Sequence, residues 1–318
     1  SGYSLLGPQA MNCSAPDEGN MHMLEVVANS DQKEKWLKPL AKAEIRSCFS
    51  MTEPSPGAGS DPTMLQTTAK KTSKGWLING EKWFITGFNG AKLNIIMAKT
   101  SDKIEKGFGA TMFLVDNDDP AIIKIRTQNS MESSFPGGHC QIKFKDLLVS
   151  DDQVLGEVGQ GYKYAQVRLA PARLTHCMRW LGAAQRAHDI ATSYASKRHA
   201  FGKAIGDHGG LAFQLTDNEI DIQMSRLFIW NTAWLLDQGE QARNESSMSK
   251  IFCSEAAFRI VDRAMQTLGG MGITDDTLVE RLFREIRPFR IYDGPSEVHR
   301  WAIAKRLMKS AAGKNIPM

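Results

Sequence analysis

The sequence has few of the features that fix a function at sight. Its five cysteines, Cys13, Cys48, Cys140, Cys177 and Cys253, are scattered and odd in number. No two have metal or redox spacing, which reads as reduced, structural thiols in an intracellular protein. Seven histidines form no pair at ligand spacing, so no metal site is expected. His176, His188 and His199 read as surface or hydrogen-bonded core residues. Thirty-nine basic residues against 35 acidic ones leave a net charge of +4, too small to argue for nucleic acid. No apolar run approaches the roughly 18 residues of a membrane span, and no signal peptide is visible. The chain starts mid-pattern, as a piece of a longer protein would. Walker, His-Glu-x-x-His and Gly-x-Ser-x-Gly motifs are missing. Gly156-Glu157-Val158-Gly159-Gln160-Gly161 has the wrong spacing, and no βαβ unit, for a dinucleotide loop.

What is present suits a soluble globular protein: 318 residues, 42% hydrophobic and 23% charged, enough for one large or two to three ordinary domains. Residues 1–46 read as helical, with Asn29-Ser30-Asp31 starting a helix that runs from Gln32 to Ala43. The Pro/Gly/Ser cluster from Glu53 to Asp61 breaks that pattern. Strands follow: Trp76-Leu77-Ile78, a hairpin turn at Asn79-Gly80, then Trp83-Phe84-Ile85-Thr86. Leu93–Met97, Thr111–Val115 and Gln141–Phe144 continue a compact β domain, a barrel or a sandwich. From about residue 160 the period becomes helical. Leu174, Met178 and Leu181 form one stripe. Phe213, Ile220, Met224, Leu227 and Trp234 form a second. Ile251, Phe258, Val261, Met265 and Leu268 form a third, stopped by Gly269-Gly270. Ile303, Leu307 and Met308 lie on a last helix. Long helices with short connections predict an antiparallel bundle, with these stripes in its core.

Several local features suit a large anionic cofactor. Thr52 and Ser60 flank a glycine-rich turn that offers amides and hydroxyls. Trp83-Phe84-Ile85-Thr86 offers an aromatic for stacking beside a hydroxyl. Arg198 and Phe201 pair a cation with an aromatic. Gln266 and Gly269-Gly270 end a helix where backbone can come close to a ligand. Asp293 precedes Gly294-Pro295 and a helical stretch. Alone, it reads either as an ordinary helix-capping aspartate or as a general base.

In this order the motifs resemble the acyl-CoA dehydrogenase family from about residue 20 to the C-terminus. The residues that carry the resemblance are Met51-Thr52-Glu53-Pro54, Gly57-Ala58-Gly59-Ser60-Asp61, Lys82 to Thr86, Arg198 to Gly202, Leu268 to Gly272 and Tyr292-Asp293-Gly294. Asp293 to His299, with Pro136-Gly137-Gly138-His139-Cys140, is most similar to the branch of family members ten and eleven. The resemblance implies an α+β multidomain fold: truncated N-terminal helices (1–46), a middle β-barrel or sandwich (47–158) and a C-terminal antiparallel four-helix bundle (159–318). It implies bound FAD and oxidation of an acyl-CoA thioester to the trans-2-enoyl-CoA, as in fatty-acid β-oxidation.

By matching positions, Asp293 is the base. Phe49, Met51 and Thr52 lie along the flavin, with Ser60 near its phosphates or the CoA, and Phe84 and Thr86 on the flavin's other side. Arg198, Phe201, Gln266, Gly269 and Gly270 reach a neighbouring subunit's FAD, which implies a homodimer or homotetramer. Arg173 contacts CoA, and Tyr292 and Gly294 join it at the substrate. An electron-transfer flavoprotein is the implied acceptor. The implied location is intracellular: mitochondrial or peroxisomal in a eukaryote, cytoplasmic in a bacterium. Two other readings stay open, an oxidase using O₂ and a non-catalytic partner that binds flavin and acyl-CoA. The chain departs from the family pattern in having aspartate where most members have glutamate. Ala172 stands at the alternative base position, Pro295 and Glu297 replace a usual threonine and glutamine, and Ser55-Pro56 is an insertion in the flavin loop.

Overall fold

A computed structural model describes residues 2–101 and 109–312. They form two compact units: residues 2–8 with 173–312, and Gln9–Ala172.

The Gln9–Ala172 unit begins with helices α1 (Gly7–Ala10, which straddles the boundary), α2 (Asp17–Val27), α3 (Ser30–Gln32) and α4 (Lys38–Ala41), with a π-helical turn at Lys33–Leu37. Asn29 caps the α3 start as its sequence implies. Its side chain accepts from Gln32 N–H at 2.9 Å, and Gln32 Oε1 accepts from Asn29 N–H at 3.3 Å, a reciprocal capping box. Among the described residues eight strands follow: β1 (Ser47–Ser50), β2 (Thr68–Thr72), β3 (Gly75–Thr86), β4 (Leu93–Lys99), β5 (Ala110–Asp116), β6 (Ile122–Gln128), β7 (His139–Val149) and β8 (Val154–Leu155). Their order is β6-β7-β3-β2-β4-β5-β8, with β1 parallel to β4.

Alternation along β4 explains its unbroken apolar run. Leu93, Ile95 and Met97 pack with Met23, Leu24, Trp36 and Leu40 of the helices. Ile96 and Ala98 pack with Ile78, Phe113, Ile142 and Phe144 inside the sheet. A strand covered on both faces needs no polar side. The sheet curls on itself: Trp76 of β3 and Phe113 of β5 are not on adjacent strands, yet their rings meet edge to face at 5.8 Å.

One expectation fails here. Asn79-Gly80 is not a hairpin turn; β3 runs straight through it, and the chain reverses between Thr72 and Gly75 instead. The β3–β7 register slips between Ile78 and Gly80, so the glycine marks a bulge. A Cβ on Gly80 would lie 2.4 Å from Thr67 Oγ1, and only glycine admits that approach.

The other unit is helical. The helix α5 (Gly161–Lys197) enters it and is followed by a two-stranded hairpin, β9 (His199–Ala200) and β10 (Lys203–Ala204). Next come α6 (Gly209–Asp237), α7 (Arg243–Leu268), α8 (Leu278–Ile286) and α9 (Ser296–Ala312). Cross-links show antiparallel neighbours. Asn218 meets Ile260 O and Thr232 meets Ser249 between α6 and α7, while Ser296 meets Glu255 and Arg306 meets Asn244 between α9 and α7. The α7 helix stops at Leu268, before Gly269 at φ +57°, as its glycines imply.

The stripe on α6 is not core. Phe213, Ile220, Met224, Leu227 and Trp234 are all exposed, with Trp230 beside them. The same holds for Met178 of α5 and for Leu307 and Met308 of α9. The buried residues of α6 are Asn218, Ile222, Ser225, Ile229 and Thr232, two of which, Asn218 and Thr232, bond to α7.

Candidate active site

In the Gln9–Ala172 unit, a buried ion pair builds one surface. Lys82 Nζ of β3 lies 2.9 Å from Glu53 Oε1 and donates to Met51 O at 2.9 Å; both side chains are buried. Glu53 also accepts from Gln66 N–H (2.6 Å), Thr67 N–H (2.9 Å) and Ala58 N–H (3.2 Å). One carboxylate thus closes the glycine-rich loop from residue 53 to residue 67. Burial pushes Lys82 down to about 8 against the pull of Glu53. Burial also opposes ionisation of Glu53, but the Lys82 charge and the hydrogen bonds outweigh it and hold Glu53 below its ordinary value. Trp83 N–H donates to Thr52 O at 3.0 Å. Residues 49–52 and 83–86 are therefore brought side by side.

Phe49 is half-buried, with the Arg168 guanidinium 4.3 Å over its ring. Phe84 is 50% exposed at φ +52°, its N–H held by Gln128 Oε1 at 2.7 Å. A large aromatic held outward on left-handed backbone is costly, and such strain concentrates at functional sites. The Thr86 hydroxyl meets His139 Nδ1 at 2.9 Å, and His139 Nε2 meets Glu132 Oε1 at 2.7 Å. Ser60 is exposed on the glycine-rich loop. An outward aromatic beside a hydroxyl and a loop rich in main-chain donors fits a planar flavin ring with its phosphates.

In the helical unit, Asp293 sits between α8 and α9 at φ +53°. Its carbonyl accepts from Arg173 Nε and from His299 Nε2, each at 3.1 Å. Its carboxylate Oδ2 lies 3.3 Å from His176 Nε2. Gly294, at φ +98°, is required: a Cβ there would lie 2.6 Å from His299 Nε2. Burial, reinforced by the Arg173 charge, lowers His299 to about 4, so the ring is neutral and can donate from Nε2. The Tyr292 hydroxyl accepts from Trp180 Nε1. Lys250 Nζ is buried with no hydrogen-bond partner among the described residues. Burial lowers it to about 8, while the charge of Asp293 opposes that shift. Ala172, at the alternative base position, is buried and cannot ionise.

The remaining predicted residues lie elsewhere in the same unit. Arg198 is exposed beside the β9–β10 hairpin, where Phe201 projects 96% exposed at φ +52°. Gln266, Gly269 and Gly270 are exposed at the end of α7. Arg198 and Leu268 border one cleft of about 600 Å³.

Comparison with known proteins decides the family. Residues 48–147 match the acyl-CoA dehydrogenase middle domain, and residues 159–308 match the acyl-CoA dehydrogenase C-terminal domain. The chain belongs to the acyl-CoA dehydrogenase family. This is a family of FAD-dependent oxidoreductases. A probable acyl-CoA dehydrogenase FadE2 of Mycobacterium tuberculosis is 36% identical, over 96% of this chain and 76% of that protein. Acyl-CoA dehydrogenase family member 11 of Gallus gallus is 36% identical over 96% of this chain, which spans only 40% of that longer protein. A putative acyl-CoA dehydrogenase from Mycobacterium abscessus superposes with a TM-score of 0.93 at 36% identity, covering 98% of this chain and 77% of that one.

Within this family member, sequence reasoning missed His176, His299, Lys250 and the Glu53–Lys82 pair. For Lys82 a signal existed, since a lysine stands directly before the apolar Trp83-Phe84-Ile85. For His176 none did, because its partner is remote in sequence.

Proposed function

We propose that this chain catalyses FAD-dependent α,β-dehydrogenation of an acyl-CoA thioester to the trans-2-enoyl-CoA, with Asp293 as the base. The observation that carries the reading is Asp293 itself. Its side chain is 18% exposed, its backbone is left-handed, and two donors hold its carbonyl. A partly desolvated carboxylate carried on backbone held so firmly is suited to removing a weakly acidic α proton. The bound flavin supplies the acceptor for the β hydride. Phe49, Met51, Thr52, Ser60, Phe84 and Thr86 are the proposed flavin contacts. Ser60, Arg173, Tyr292 and Gly294 are the proposed contacts to the thioester and its CoA.

The working form proposed is a homodimer or homotetramer. The exposed α6 face supports it, since Phe213, Trp230 and Trp234 are 71%, 62% and 59% exposed in the single chain. Apolar patches of that kind mark contact surfaces. Arg198, Phe201, Gln266, Gly269 and Gly270 then serve the FAD of the neighbouring subunit, and an electron-transfer flavoprotein takes the electrons. The test is anaerobic titration with a panel of straight and branched acyl-CoAs. Bleaching of the flavin by at least one thioester is the expected result, with little peroxide once air is admitted. Failure of every thioester to bleach it would overturn the proposal.

A further inference from the structure

The shorter base poses a geometric problem, and His176 answers it. An aspartate has a short arm with two torsions, and only one of its oxygens can face a substrate carbon. The scaffold around Asp293 fixes the backbone that carries this arm. Its carbonyl is held from two sides, by Arg173 Nε of α5 and by His299 Nε2 of α9. That leaves the carboxylate torsions, and Oδ2 lies against His176 Nε2 at 3.3 Å.

The imidazole is itself held in place. Its side chain is 5% exposed. Its ring lies 4.9 Å from the Tyr292 ring and 5.8 Å from the Phe289 ring, and those two rings are 5.5 Å apart. Trp180 Nε1 donates to the Tyr292 hydroxyl, which fixes that ring in turn. Trp180 and Phe289 are fully buried. A side chain locked by packing is the support a catalytic group needs to be held within about half an ångström of a productive position. Other charged and ionisable groups face Asp293 as well: Arg173 and Cys177 on α5, Lys250 on α7 and His299 on α9. Among these groups, His176 Nε2 lies at contact distance from the carboxylate, 3.3 Å from Oδ2.

We propose that His176 is a positioning residue for the proton-transfer step, holding Oδ2 so that Oδ1 of Asp293 is the atom that takes the α proton. The inference rests on Asp293 being the base. In the step, the α C–H bond breaks, its proton moves to Oδ1, and its electron pair passes into the thioester as an enolate. Reversal of the same step in deuterium oxide returns a deuteron to the α carbon. His176 forms no bond to substrate.

The experiment uses the full chain with bound FAD and β-thia-octanoyl-CoA, whose β position carries sulfur and no hydrogen. Mass spectrometry follows α-deuterium incorporation, a readout separate from turnover. His176→Phe keeps ring volume and removes the nitrogen. His176→Gln keeps an N–H donor at similar reach. In His176→Phe, exchange is expected to slow by about 10- to 100-fold, the scale of an ångström-sized misplacement, with thioester affinity changed less than about threefold. His176→Gln is expected to recover most of the loss. Exchange in His176→Phe within about twofold of the parent would overturn the proposal. So would His176→Gln as slow as His176→Phe, because packing alone would then explain both. If His176→Phe does not fold, His176→Leu takes its place with the same expectations. Asp293→Asn runs alongside: undiminished exchange there removes the base assignment, a failure distinct from that of His176.

Discussion

Asp293, Gly294 and His299 act as one device. The left-handed turn at Asp293 and Gly294 points the Asp293 carbonyl at His299, and no side chain fits at Gly294 because His299 Nε2 is already there. His299 carries a pH dependence with it. Its ring titrates near 4 when folded against an ordinary value of 6.5, chiefly through burial. Between those values the unfolded chain binds more protons than the folded one. This stability contribution is therefore present above about 6.5 and is lost as pH falls toward about 4. Denaturant midpoints measured across that window are expected to drop with acid in the parent and to drop less in His299→Gln. Equal slopes for the two proteins would show that His299 is not the titrating group.

At the scale of elements, the Glu53–Lys82 pair joins the chain after β1 to the middle of β3, and with it the proposed flavin-facing residues. Both charges are nearly inaccessible, 0% for Lys82 and 2% for Glu53. Removing one partner leaves the other buried and unpaired. Lys82→Met is expected to cost about 3–5 kcal/mol, and a Glu53→Gln/Lys82→Met double substitution less than that. Urea unfolding of the single and double variants measures it, and a single variant as stable as the parent would contradict the account. Elements were legible in the sequence where local chemistry decides them. The helix start at Asn29-Ser30-Asp31 and the glycine stop after Leu268 are examples. Gly80 was misread because Asn-Gly suits a tight turn and a bulge equally well. What decides is Thr67, packed against that point across the sheet. His176 was not legible as a site residue, because its partner Asp293 is remote in sequence; His299 lies six residues from Asp293, and only the folded turn at Gly294 shows that the two meet.

The whole molecule explains the α6 error. A heptad-like apolar stripe looks the same whether it faces its own core or a second subunit, and composition does not separate the two. Here the stripe lies outside, and the buried face of α6 mixes Ile222 and Ile229 with the polar Asn218, Ser225 and Thr232. Trp230→Glu with Trp234→Glu is expected to shift the protein toward monomers in light scattering while leaving the helical signal in circular dichroism intact. An unchanged mass would place the subunit contact on another face. The matched motifs made the family readable from residues spread along the chain. Asp293 alone says less, since an aspartate before a helix has the same local signature as a cap. Only the folded unit shows its carbonyl held by two side chains and its carboxylate against a third.

The most direct test is rapid-mixing reduction of the flavin by whichever acyl-CoA bleaches the parent, repeated in Asp293→Asn. The side chains are nearly the same size, so the variant should fold and keep its FAD, seen as an unchanged flavin spectrum. The account predicts that reduction by the thioester falls by at least about 10²-fold, the low end of what a general base contributes, while dithionite still reduces the flavin. Reduction at the parent rate in Asp293→Asn would contradict it.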